Sequence, residues 1–257
     1  MLYQVTSYFK FLLRSTNAHG VHSPFVYDLV TKCFYDTGSY TAYSTLDRIM
    51  RWARQNKTIV NVKDHGNGSR VFKNNSRKVG DIAKHAGITN KRQQLLFRIT
   101  RYFASNRSLE LGTSIGLATS AIALGNTKGV VDTVEGCPET TTIAHEIFDK
   151  FQISNILLYQ KTFESFLQND FSEPYDLVFL DGNHSEVGTL EYFNAILPYL
   201  HNDSVVILDD IYWSRGMTRA WDQLSTHSQV SVTIDTFQWG ILFFRKEQPK
   251  QHFKIRV

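Results

Sequence analysis

The chain has 257 residues, of which 42% are hydrophobic, 20% charged and 13% aromatic. That is enough apolar side chain for a buried core, and it excludes a disordered tail or a fibrous repeat. Lys and Arg outnumber Asp and Glu by 28 to 24, a balance of +4 that permits an anionic ligand without implying nucleic acid. Two cysteines, Cys33 and Cys137, exclude a disulfide framework and a cysteine-based zinc site, and they point to a reduced compartment. Lys10 and Arg14 interrupt the apolar residues of the N-terminus, so no targeting segment is expected there. The uncharged stretch 111–127 carries three glycines and is too short to span a bilayer. The expectation is a cytoplasmic protein with no membrane partner.

Up to about residue 104 the chain reads as mostly helical. Apolar periodicity predicts helices over Tyr3–Arg14, Pro24–Tyr35 and Thr45–Gln55. His19 and His22 are spaced three apart, but Gly20 and Pro24 make the segment a loop, and Ser23-Pro24 reads as a helix start. Thr58–Val62 reads as a strand leading into the glycine-rich segment Asp64–Ser69, a weak candidate for a second ligand loop. The basic stretch Arg70–Lys78 reads as a mobile loop. Helices follow over Val79–His85 and Lys91–Phe103. The aromatic stripes Tyr8, Phe9, Phe11 and Phe25, Tyr27, Phe34 require a partner surface. Residues 1–104 are accordingly expected to form a helical cap, and residues 105–257 a second domain.

From residue 105 the pattern alternates strand and helix. Strand-like runs lie at Ser108–Leu111, Val130–Val134, Ile156–Tyr159, Leu177–Leu180 and Val205–Leu208. Helical stretches lie at Ala118–Leu124, Thr140–Phe151, Thr162–Gln168, Thr189–Leu200 and Met217–Leu224. Short strands that are apolar on both faces and separated by helices predict a parallel sheet covered on both sides. Val230–Ile234 and Gly240–Phe244 then predict an antiparallel pair at the sheet edge.

The first of these strands runs through Glu110 into Gly112, Ser114 and Gly116 before a helix. Glycine there allows a sharp turn and brings backbone N–H groups close to a ligand at the helix start. The Gly-x-x-x-Gly spacing does not meet the dinucleotide fingerprint Gly-x-Gly-x-x-Gly. Glu135 ends the second strand 23 positions after Gly112, where such folds place a carboxylate on ribose hydroxyls. A tight strand–helix turn without a ligand is the plainer reading of the glycines alone. The fourth strand ends in Asp181-Gly182-Asn183-His184 and the fifth in Asp209-Asp210. Three carboxylates at neighbouring strand ends repel one another unless protons or a cation compensate. Helix or turn capping is the alternative for Asp209-Asp210.

These residues resemble the class I S-adenosylmethionine-dependent methyltransferases. Glu-x-Gly-x-x-x-Gly, the second-strand acid, the Asp closing the fourth strand and the terminal hairpin carry the resemblance over residues 105–246. The metal-dependent O-methyltransferases of the catechol and macrocin type are the most similar group. Their catechol branch has Asp-Asn where this chain has Asp209-Asp210. The resemblance implies a doubly wound Rossmann-like α/β sheet, mostly parallel with an antiparallel terminal hairpin, and an N-terminal helical cap. It implies S-adenosylmethionine as cofactor, with Gly112, Ser114 and Gly116 under its methionine part and Glu110 near its amino group. Glu135 would take the ribose, Thr162 and Phe163 the adenine, and Asp181 would close the cofactor site. A divalent cation, Mg²⁺, would sit on Asp181, Asp209 and Asp210 and acidify the acceptor. His184 with Asp181 would handle the proton, or His184 would orient Asp181. Trp213 and Arg215 would wall a pocket for a small-molecule hydroxyl. Oligomeric state is left open, a homodimer being one option.

Two other classes compete. One is a non-catalytic binding or regulatory protein that keeps the cofactor fold. The other is a nucleic-acid-binding protein using Asp81–Thr89, which has the outline of a helix-turn-helix. Leu95, Leu96, Ile99 and Phe103 fall at core spacing on its would-be recognition helix, so no nucleic-acid partner is expected. Cys137-Pro138 has cysteine before proline, the reverse of what a cytosine methyltransferase nucleophile requires.

Overall fold

A computed structural model describes residues 2–63, 72, 74–169 and 173–257. The chain divides into two compact units, residues 37–171 and residues 1–36 with 172–257. The glycine-rich segment Asp64–Ser69 and most of 70–73 lie outside the described residues.

In the unit 37–171, α3 (Thr41–Gln55) buries Leu46, Ile49, Met50 and Ala53, the one-sided spacing of an amphipathic helix. α4 (Val79–His85) and α5 (Asn90–Tyr102) pack on it. The Thr89 hydroxyl caps α5 by accepting from the Arg92 N–H. α5 turns Leu95, Leu96, Phe97 and Ile99 inward and lies against α6 (Leu117–Gly125), whose own residues are buried on nearly every side. Gln93 Nε2 donates to the Leu117 carbonyl at 2.8 Å and ties α5 to the start of α6. β3 (Arg107–Leu111), β4 (Val130–Val134) and β5 (Ile156–Tyr159) run parallel, with α7 (Pro138–Lys150) between the last two. α8 (Phe163–Asn169) follows.

One expectation is corrected here. The predicted loop Arg70–Lys78 ends in a strand, β2 (Ser76–Lys78), paired antiparallel with β1 (Ile59–Asn61). Its polar side chains hide it from a pattern search, because backbone bonding alone holds it; only Arg77 is buried.

In the other unit, α1 (Leu2–Arg14) and α2 (Pro24–Leu29) join residues 172–257. The aromatic stripes do find partners. The Tyr8 and Phe11 rings lie 4.8 and 5.7 Å from that of Phe237, and Phe25 meets Phe243 edge-on at 5.1 Å. Phe9 and Tyr27 stay exposed. The Ser23 hydroxyl accepts from the Val26 N–H and caps α2, so His19 and His22 belong to the approach of a capped helix.

β6 (Tyr175–Leu180) and β7 (Leu200–Asp209) are parallel, with α9 (Glu186–Ile196) between them. α9 ends earlier than its apolar pattern suggests, since Pro198 follows in a short 3₁₀ turn. After α10 (Arg215–Ser225), β8 (Val232–Asp235) and β9 (Trp239–Phe243) form the expected antiparallel hairpin, with β9 also antiparallel to β7. The hairpin does not close the sheet edge. β10 (Gln251–Lys254) adds parallel to β8, a strand too polar and short for its pattern to announce. The architecture is the mixed α/β, Rossmann-like class with mostly parallel strands. Among the described residues no helix is long and apolar enough to cross a membrane.

Candidate functional site

The positions singled out by sequence fall into two clusters, one in each unit. In the unit 37–171 the cluster forms where β3 ends. Register pairs Glu110 with Thr133 on β4, which sets the Glu110 carboxylate among hydroxyls. Its Oε2 accepts from Thr133 Oγ1 and Thr119 Oγ1, both at 2.5 Å, and Thr133 shares a further bond of 2.6 Å with Thr113. Oε1 is buried and has no hydrogen-bond partner. Burial raises the Glu110 carboxyl to about 7, against the hydroxyl bonds that lower it and with a smaller contribution from the charge of Glu135.

The following turn is built from left-handed backbone. Gly112 has φ +114°, Ser114 +50° and Gly116 +81°. A Cβ at Gly116 would stand 2.7 Å from the Phe148 ring, so both conformation and space demand glycine. Glu135 fastens this turn. Its Oε2 accepts from the Ser114 N–H and its Oε1 from the Cys137 N–H, each at 2.8 Å. Thr162 Oγ1 accepts from the Ser165 N–H and caps α8, beside the half-buried Phe163.

The second cluster belongs to residues 172–257. Asp181 and His184 leave β6 together, with His184 Nε2 3.7 Å from Asp181 Oδ1 and both side chains about one quarter exposed. The turn holding them is strained, with φ +64° at Asn183 and +39° at His184. The Asn183 amide donates to the Tyr192 hydroxyl at 2.9 Å and fixes the turn from α9. The Trp213 ring lies 5.9 Å from that of His184, and the Trp213 N–H donates to the Asp210 carbonyl. Arg215 lies over the Tyr3 ring, 5.7 Å from its centroid.

The three aspartates expected to share a cation are not placed as one ligand set. Among the described residues no group of three or more His, Cys, Asp and Glu side chains is arranged to hold a metal ion. Asp209 is buried at the end of β7, whereas Asp181 is one quarter exposed and Asp210 follows at φ +52°. Their environments differ.

Sequence reasoning missed Thr119 and Thr133, the two donors on Glu110. The available signal was weak: a hydroxyl inside the otherwise apolar run of α6, and another one strand over in register. Of the seven non-glycine residues with positive φ among the described residues, Ser114, Asn183, His184 and Asp210 lie just past the ends of β3, β6 and β7. Strained backbone that collects at the carboxyl ends of parallel strands marks where such folds bind ligands.

Residues 109–211 match the family model described as a methyltransferase domain. Comparison with curated protein sequences gives no match. Solved structures share the fold. The SAH-bound methyltransferase PaMTH1 of Podospora anserina is 16% identical and covers 88% of this chain and 97% of its own, with a TM-score of 0.63. The O-methyltransferase of Bacillus cereus in complex with SAH, also 16% identical, covers 84% of this chain and 96% of its own with a TM-score of 0.57. The O-methyltransferase TomG of Streptomyces achromogenes, involved in tomaymycin synthesis and solved with SAM, has the same identity and score and covers 84% of this chain and 95% of its own.

The buried carboxyl makes a prediction about stability. Glu110 holds its proton more tightly folded, near 7, than unfolded, near 4.5. The folded state therefore binds more protons between those values, and the contribution of this group to stability falls as pH rises from about 4.5 through 7. The loss is on the order of 3 kcal/mol. Denaturant unfolding across that range should show the decline in the wild type. A Glu110→Gln variant should show a flatter profile, and equal slopes would rule this account out.

Proposed function

We propose that this chain, a class I S-adenosylmethionine-dependent methyltransferase by its domain match and its fold, methylates a hydroxyl oxygen of a small molecule. The observation that carries the reading is the Glu110 carboxylate, fully buried with one oxygen bound by two hydroxyls and the other left without a partner. A buried acceptor of this kind is costly unless a donor arrives, and the cofactor's ammonium group is a charged donor of the right kind. The backbone of Gly112, Ser114 and Gly116 would pass under the methionine part. Glu135, at the end of β4, would accept the ribose hydroxyls. Thr162 and Phe163 would flank the adenine.

When bound, the cofactor supplies a methyl group on positively charged sulfur, so the chain has little electronic work to do. Alignment and a deprotonated acceptor are what remain. With the methyl group supplied in that way, the residues of this chain would have to hold the acceptor oxygen in line with it and take up the hydroxyl proton. His184 is the base in this reading, with the Asp181 carboxylate beside its ring at 3.7 Å to favour the imidazolium that forms. Trp213, against the His184 ring, provides an apolar wall, and Arg215 suits an acceptor carrying a negative group. Each residue role in this reading stands without a cation.

Calorimetric titration tests the cofactor half. Saturable binding of S-adenosylmethionine with none of NAD is expected, and Glu135→Ala should weaken it by about 1–3 kcal/mol through lost charged acceptors. Binding of NAD alone would overturn the reading. The chemical half is tested by methyl transfer to a panel of small hydroxyl compounds. On any acceptor found, His184→Ala should lower kcat by roughly 10²- to 10⁴-fold with a smaller effect on KM. An unchanged kcat would remove His184 from proton transfer.

A further inference from the structure

The modest net charge of the chain conceals a strong asymmetry. Residues 41–102 contain fourteen Lys and Arg against three Asp and Glu, a balance of +11, so the remaining residues balance at −7. Most of the excess sits on or beside α3, α4 and α5. Arg48, Arg51, Arg54, Lys57, Lys84 and Lys91 are all exposed. None of them pairs with a carboxylate among the described residues; Arg48 has only a ring contact, to Phe151. Arg48, Arg51 and Arg54 recur every third residue, so they form one row along α3, about 9 Å long at the helical rise. Arg51 and Arg54 also line a groove of about 470 Å³ with Gln55 and the start of α5 at Asn90. The acid at that groove, Asp47, is engaged by the Asn90 amide at 2.8 Å.

We propose that this face is a docking surface for the phosphate backbone of duplex nucleic acid, bound without regard to sequence. Like charges gathered without partners destabilise the chain that carries them, and a polyanion relieves that repulsion by releasing its own counterions. Phosphate contacts need only Arg and Lys on an accessible face. An acidic protein partner would need apolar anchors at the centre of its footprint, and a membrane surface would need an apolar stripe to insert. Between residues 41 and 102 the exposed large hydrophobic side chains are Ile59 and Tyr102 alone among the described residues. The surface offers charge and almost nothing else. The helix-turn-helix outline of α4 and α5 plays no part, because α5 spends Leu95, Leu96, Phe97 and Ile99 on packing and cannot enter a groove. That is why the binding is to backbone and not to bases.

The experiment is fluorescence anisotropy of the full chain against labelled 24-base-pair DNA and RNA duplexes at 50 and 200 mM salt. With about five phosphates contacted, a fourfold rise in salt should weaken duplex binding roughly 500-fold. Two duplexes of unrelated sequence should bind alike. The triple variant Arg48→Gln, Arg51→Gln, Arg54→Gln should bind at least ten times more weakly at 50 mM salt, with its salt slope reduced by about 3. A control variant with Lys10, Lys128 and Lys150 changed to Gln carries the same change in net charge and should bind as the wild type. Unchanged thermal melting shows that each variant is folded. A preference for the RNA or the DNA duplex identifies the source of the phosphates and supports the proposal. No duplex binding at 50 mM, equal loss in both variants, binding to anionic phospholipid vesicles in place of duplexes, or low-salt self-association that the triple variant abolishes would each overturn it.

Discussion

A carboxylate that cannot reach water governs the first ligand cluster. Glu110 stands inside the sheet end with two threonine hydroxyls on one oxygen and nothing on the other. A buried polar atom left in that condition costs free energy, which proteins normally avoid by pairing or by substitution with an apolar residue. Here Thr119 and Thr133 lower the cost without removing it. Burial raises the carboxyl to about 7, so at neutral pH the resting group is about half protonated and takes on its full negative charge when a cationic group arrives. The arrangement is stable without ligand and attractive to one particular kind of donor.

Backbone strain around the strand ends follows the same logic. Ser114, Asn183, His184 and Asp210 all hold left-handed conformations that side chains avoid. Each is fixed by hydrogen bonds nearby: Glu135 holds the Ser114 N–H, Tyr192 holds the Asn183 amide, the Gly182 carbonyl receives the His184 N–H, and the Asp210 carbonyl receives the Trp213 N–H. Strain maintained by several bonds places a side chain or an N–H where a relaxed turn would not. That is how two short loops come to present Asp181 with His184, and the Gly112–Gly116 backbone, as defined surfaces.

Much of this was legible before any coordinates. The bounds of β4 and β5 coincide with the runs Val130–Val134 and Ile156–Tyr159, since β-branched and apolar residues outnumber polar ones in both. Glu110, Gly112, Gly116 and Glu135 were legible because a strand–turn–helix junction restricts residue type at fixed spacing. The threonines on Glu110 were not, since register between β3 and β4, and the packing of α6, bring them together from 9 and 23 residues away. β2 and β10 were hidden for a different reason: their backbones are paired while their side chains remain largely polar. Asp181, Asp209 and Asp210 share a strand-end position in sequence, and Asp209 is buried while the other two are partly exposed, a difference that spacing cannot reveal.

The account turns on Glu110 receiving the cofactor's ammonium group, and proton linkage measures that most directly. Titration of S-adenosylmethionine into the protein at pH 6, in two buffers of different ionisation enthalpy, counts the protons released per site. A carboxyl near 7 is almost fully protonated at pH 6 and must ionise to pair with a cation, so release of close to one proton is expected. Glu110→Gln should bind with that release abolished. Binding without proton release, or with the same release in the glutamine variant, would contradict the central claim.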